Sequence, residues 1–121
     1  MESMGVGISL SLGLFLLSAM MVYIAQSGEH LGVNGAIGIR TGATKASPEA
    51  WVAGHRAAAA WLKAGGWVAG SGAVLTITVG VVVDSADSVG LVGVAGYVAS
   101  LYCLIAATRS ANRAARSAPT T

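Results

Sequence analysis

Apolar and polar positions fall in blocks along this chain, and three of the blocks contain no charged residue. They cover 4–25 (MGVGISLSLGLFLLSAMMVYIA), 64–83 (AGGWVAGSGAVLTITVGVVV) and 88–107 (SVGLVGVAGYVASLYCLIAA). A helix needs about 20 apolar residues to cross a hydrocarbon core of about 30 Å. The Val and Thr of the second block would suit a strand in water. In lipid the backbone must satisfy itself within its own segment, so the block predicts a helix. The expected fold is all-α, an integral membrane bundle of three transmembrane helices. The first block is expected to be a retained span and not a cleaved leader. The only charge ahead of it is Glu2, whereas secretory leaders open on a basic stretch.

The polar block at 26–63 divides in two. Gly35 to Gly42 (GAIGIRTG) is too rich in glycine for a helix and reads as a turn or a re-entrant loop. Ser47-Pro48-Glu49 is a helix start: a capping hydroxyl, a proline at the first helical position and an acid at the positive helix end. The helix it opens is predicted to run to Lys63, with Trp51, His55 and Leu62 on one face. Its tryptophans suit a membrane boundary. It is expected to be a cytoplasmic interfacial helix that either bends into the second span near Gly65-Gly66 or continues straight into it. Residues 108–121 form a basic tail, expected to hold anionic lipid or mark topology and then fray.

Charge placement adds an orientation. Arg40, Lys45, Arg56 and Lys63 lie between spans one and two, and Arg109, Arg113 and Arg116 follow span three. The turn between spans two and three (DSAD, 84–87) has no base. Lys and Arg favour the cytoplasmic side. Three spans put all seven bases on that side, with the N-terminus outside and the C-terminus cytoplasmic. Two or four spans would scatter them. The expected location is therefore the cytoplasmic (inner) membrane of a bacterium, with the whole chain as a single membrane domain.

Small residues recur every four positions and predict close helix contacts. They are Gly5, Ser9 and Gly13 in the first span; Gly66 and Gly70, then Gly72, Thr76 and Gly80, in the second; and Ala95, Ala99, Cys103 and Ala107 in the third. Whether these contacts lie within one chain, in a homo-oligomer or in a larger membrane complex stays open. Composition agrees with a lipid solvent. Charged residues make up 10% of the 121, against about 25% in soluble domains, and mean hydropathy is +0.71. The single cysteine excludes a disulfide within the chain, and a net charge of +2 does not suggest nucleic acid as a partner.

Candidate chemistry is sparse. The spans hold no ionisable residue of the kind that proton-coupled transporters keep at membrane depth. Thr76, Thr78 and Ser100 are expected to bond carbonyls of their own helices. No carboxylate pair or Ser–His pairing stands out, so the chain is not expected to be an enzyme. His55 and His30, with no cysteine nearby, make a poor metal set, and neither metal nor cofactor is expected. The candidate ligand or partner residues are Asn34, Arg40, Thr41, Glu49, Trp51, His55 and Arg56. Arg40 could take a lipid phosphate or a peptide carboxylate, or serve only as a basic anchor. Asn34 could instead satisfy backbone groups of its turn. Glu49 could complement the helix end or pair with Arg40 or Arg56.

Asn34, Gly38-Ile39-Arg40-Thr41, Thr44, Ser47, Glu49, Trp51 and His55-Arg56 follow a pattern, N…GIRT..T..S.E.W…HR, that resembles the signature of the SdpI family of bacterial membrane proteins. The likeness covers the polar block and the two helices after it, about three quarters of the chain. It implies a multispanning, non-enzymatic membrane protein. The family's named member is an immunity protein that protects a cell from a secreted, membrane-active toxin peptide and sequesters a repressor at the membrane. That member has further helices ahead of the signature, where this chain has one. A peptide toxin is thus the partner that the resemblance implies, beside the bilayer itself. An accessory subunit of a larger complex and a small transporter are the alternatives.

Overall fold

The computed structural model describes residues 2–119. Met1, Thr120 and Thr121, the last two at the end of the predicted tail, lie outside the described residues. Three helices make up most of the chain: α1 (Glu2–Ser27), α2 (Pro48–Val82) and α3 (Ala86–Arg116). All three are long and apolar enough to cross a membrane. Short 3-10 turns at Gly28–His30 and Thr44–Ala46 bracket the polar loop. The helix predicted at 48–63 is not a separate element. It is the first half of α2, which passes through Gly65-Gly66 unbroken. At 35 residues and about 1.5 Å per residue, α2 measures about 52 Å, well beyond a bilayer core. Helix α3 runs on past the predicted span through the basic positions of the tail to Arg116.

The chain forms two compact units. The first contains Met1–Met20 and Gly65–Tyr102. Here α1 runs antiparallel to α2, fastened by three serines. Ser3 donates to the Gly80 carbonyl (3.3 Å), Ser11 to Ala73 (2.9 Å) and Ser18 to Gly66 (2.7 Å). The acceptors are spaced by seven and the donors by eight and seven, close to the 3.5-residue repeat of paired helices. Each hydroxyl would lose free energy if left unbonded in apolar surroundings. Gly80 is what lets the helices close, since a Cβ there would stand 3.0 Å from the Ser3 carbonyl oxygen. Leu14 fills the middle of this unit against Ala69 and Ala73, flanked by Leu17 and Tyr97. The Tyr97 hydroxyl crosses Gly13 to donate to the Leu10 carbonyl (3.2 Å).

These contacts correct two of the predicted stripes. The inward face of α1 is Ser3, Gly7, Ser11 and Leu14, while Gly5 and Ser9 are exposed. In α3, Ala95 and Ala99 face outward, whereas Val89, Gly93 and Ser100 face inward. Small size alone did not choose the face; the serine bonds and the fit of larger side chains did. Thr76, Thr78 and Ser100 donate to Gly72, Val74 and Gly96, each four residues back in its own helix. The outer surface of the unit is apolar, with Ile8, Leu12, Leu16, Trp67, Val74 and Leu91 all exposed.

The second unit contains Met21–Ala64 and Cys103–Thr121. It holds the end of α1, the polar loop, the start of α2 and the end of α3. All seven basic residues belong to it, whereas the first unit has the acids Glu2, Asp84 and Asp87 and no base.

Candidate functional site

The second unit gathers every candidate residue, but they divide into inward ties and outward groups. Ser47 is extended (φ −161°) and caps α2: its Oγ accepts the Ala50 N–H at 3.0 Å. Its own proton goes to the Pro119 carbonyl at 2.5 Å, which fixes the chain after α3 against the start of α2. One turn on, Trp51 is fully buried and donates its indole N–H to the Gly28 carbonyl at 2.8 Å. Its ring lies against the His55 imidazole, centroids 4.2 Å apart.

His55 is buried and uses both ring nitrogens. Nε2 accepts the Ile39 N–H at 2.9 Å, which leaves Nδ1 to carry the proton and donate to the Trp51 carbonyl at 2.9 Å. This is the neutral imidazole in one tautomer. Gly38 permits the arrangement. Its φ is +119°, and a Cβ there would stand 2.8 Å from His55 Nε2 and 2.8–2.9 Å from the Trp51 ring.

Thr44 and Thr41 tie the other side of the loop. Thr44 donates to the Ile39 carbonyl (2.6 Å) and accepts the Thr41 N–H (3.0 Å). The Thr41 hydroxyl accepts the Thr44 N–H (3.2 Å) and donates to Asn112 Oδ1 on α3 (2.5 Å). Asn34 spends its side chain within its own turn. Oδ1 accepts the N–H groups of Ala36 and Ile37, and Nδ2 donates to the carbonyls of Gly32 and Ile37. Asn34, Thr41, Trp51 and His55 are thus ties of the loop to itself and to the helices.

Arg40, Glu49 and Arg56 face outward. Arg40 keeps one bond, Nε to the Asn34 carbonyl at 3.1 Å, and its guanidinium is otherwise presented at the surface. Arg56 pairs with Glu29 at 2.9 Å and not with Glu49. Glu49 instead lines an open groove of about 450 Å³ with Pro48, Val52, Ala53, Arg56, Ala118 and Pro119. The sequence reading left Gly28, Gly38, Thr44 and Asn112 out of the candidate set. Thr44 and Gly38 lie inside the quoted pattern, which was the available signal. Asn112 is 71 residues from Thr41, and nothing local marks it.

Burial pushes the His55 imidazole below its ordinary value, against the opposing pull of its hydrogen bond to the Trp51 carbonyl. The residue precedes the apolar run that begins at position 64. An unfolded histidine titrates near 6.5, so as pH drops through that value the unfolded chain takes up a proton before the folded one does. The stabilisation is complete above about 6.5 and declines towards the lower folded value. Protonation also removes the acceptor of the Ile39 N–H. Protection of the Ile39 amide against hydrogen exchange, corrected for the intrinsic rate, should therefore decline between pH 8 and pH 5. His55→Asn should flatten that profile. Protection independent of pH in the unaltered protein would refute this.

Three membrane-length helices with an internally tied polar loop define a multi-pass helical membrane protein. The model of the SdpI/YfhL protein family matches residues 30–107, which takes in the loop, all of α2 and most of α3 and leaves out α1. The chain belongs to that family. No curated protein and no solved structure matches it.

Proposed function

We propose that this is a non-enzymatic, SdpI-like protein of the bacterial cytoplasmic membrane that holds a rigid basic loop at the inner face to engage a membrane-active peptide, in immunity or in sensing. The observation that carries the reading is the division of the signature. Its polar residues brace one another, and the brace leaves Arg40 outward at the end of a fixed loop. A preorganised guanidinium suits a peptide carboxylate, which it can engage through two parallel N–H bonds. The absence of catalysis is part of the proposal, and the engaged ring of His55 supports it, since both nitrogens are committed and neither can serve as a general base.

The orientation proposed is N-terminus outside and C-terminus inside. The gathering of all seven bases in the second unit supports it, because that unit would then face the cytoplasm. On this reading the first half of α2 is the interfacial part of a helix whose second half spans.

Deleting the protein should sensitise cells to at least one membrane-active peptide. Arg40→Ala should reproduce that loss while the protein remains inserted and folded, since Arg40 is exposed and makes a single bond. Equal survival of deleted, altered and unaltered strains across a peptide panel would dispose of the proposal.

A further inference from the structure

The last part of α3 carries Arg109, Arg113 and Arg116. Steps of four and three residues put them on one helix face. With Asn112 and Ser117 they line a recess of about 550 Å³. Among the described residues, none of these three guanidinium groups has an ion-pair or hydrogen-bond partner. The unit's side-chain carboxylates are engaged elsewhere: Glu29 is taken by Arg56 and His30, and Glu49 lines the other groove. Asn112 gives its oxygen to the Thr41 hydroxyl, so what it has left to offer is its Nδ2 donor. The Ser117 hydroxyl rests on the Arg113 carbonyl at 3.3 Å. The donors of the recess are therefore the three guanidiniums and Asn112 Nδ2, and its charged side chains are all positive.

Arg113 and Arg116 also complement the negative end of α3. That role is met by charge anywhere in the last turn. It does not explain Arg109, seven residues ahead of Arg116 and on the same face. The chemistry that three guanidiniums and an amide donor share is phosphate recognition. The register of α3 says which phosphate. Ile105, one turn before Arg109, is exposed on the same face. The helix face changes from apolar to basic within one turn, at the end of the predicted span. A free anion has no use for that apolar approach, whereas a lipid has.

We propose that this recess binds the phosphate of an anionic membrane phospholipid, with an acyl chain against Ile105. Arg40 is no part of the recess, so the proposal stands apart from the peptide reading. The test is native mass spectrometry of the full-length protein in mild detergent, titrated separately with phosphatidylglycerol, phosphatidylcholine and inorganic phosphate. Phosphatidylglycerol should be retained in clear preference to phosphatidylcholine. A basic residue near an anionic lipid contributes about fivefold in affinity. The triple change R109Q/R113Q/R116Q should therefore weaken phosphatidylglycerol binding on the order of a hundredfold, and R113Q alone about fivefold. R113Q leaves six bases in place and so tests the recess even if the triple variant fails to insert. K45Q/K63Q, which removes two charges that do not line the recess, should weaken retention less than R113Q alone does. An equal loss in K45Q/K63Q would reduce the effect to overall charge and overturn the proposal. Displacement of the lipid by equimolar inorganic phosphate would make this a free-anion site and overturn the lipid assignment. No preference between the two lipids in the unaltered protein would overturn it outright.

Discussion

Replacing Trp51 by alanine should cost about 3–5 kcal/mol of stability, the range for truncating a fully buried tryptophan. The residue is a hinge pin for three separate contacts. Its indole N–H is the donor to the Gly28 carbonyl, its ring supports the imidazole of His55, and its edge meets the backbone at Gly38. With the ring gone, the Gly28 carbonyl keeps the Leu31 N–H at 3.2 Å, and the lost indole bond accounts for about 0.5–1.5 kcal/mol of the cost. The loss should be confined at first to the second unit. Amide exchange at Ile39 and Thr41 should accelerate strongly, while amides around Ser11 and Ala73 in the first unit keep their protection. Uniform acceleration along the whole chain would show that the polar loop is not a locally braced module. Trp51→Phe should recover the packing but not the indole bond, and so fall between the two.

Gly38→Ala should be of similar severity for an unrelated reason. Its φ of +119° is a conformation that side chains rarely adopt, and holding a non-glycine residue in such a region costs about 1–3 kcal/mol. The new methyl would also press on His55 Nε2 and the Trp51 ring at under 3 Å, and overpacking of this kind costs about 1–3 kcal/mol. The ring's share can be separated. In a Trp51→Ala background the methyl no longer meets the ring, so the backbone cost and the contact with His55 Nε2 should remain. The double variant should then be more stable than the sum of the single changes predicts, by the part of the overpacking cost that the ring causes. Strict additivity, measured by denaturant unfolding in detergent, would show that the methyl never meets the ring.

The spans were legible because their signal is composition, and composition needs no partner to be read. Uncharged runs of spanning length and one-sided placement of Arg and Lys carried that part. The start of α2 was legible as well, because a serine, a proline and a glutamate act on their own helix end. The course of α2 past Gly65-Gly66 was not, since two glycines permit a bend without requiring one. The inward face of α1 was misread for a related reason. Gly5 and Ser9 fit the spacing rule as well as Ser3 and Ser11 do, and only the position of α2 decides between them. Within the loop, the residue types announced polar work without its direction. Trp51 and His55 look the same on paper whether they hold a ligand or hold Gly28 and Ile39. The bond from Thr41 to Asn112 depends on a contact between distant segments, which no local pattern encodes.

The three serine fastenings of α1 have a consequence for how freely this protein can vary. Each acceptor is a main-chain oxygen, which every amino acid supplies. What positions 66, 73 and 80 must conserve is therefore slimness, not chemical identity, while positions 3, 11 and 18 must conserve a hydroxyl. Constraint across this helix pair is lopsided. One side of the evolutionary record should read as a run of Ser and Thr, and the facing one as small residues with glycine held at position 80, with few correlated changes linking them. Searches that infer spatial neighbours from paired substitutions would tend to overlook this seam, although it is among the most directly bonded in the molecule.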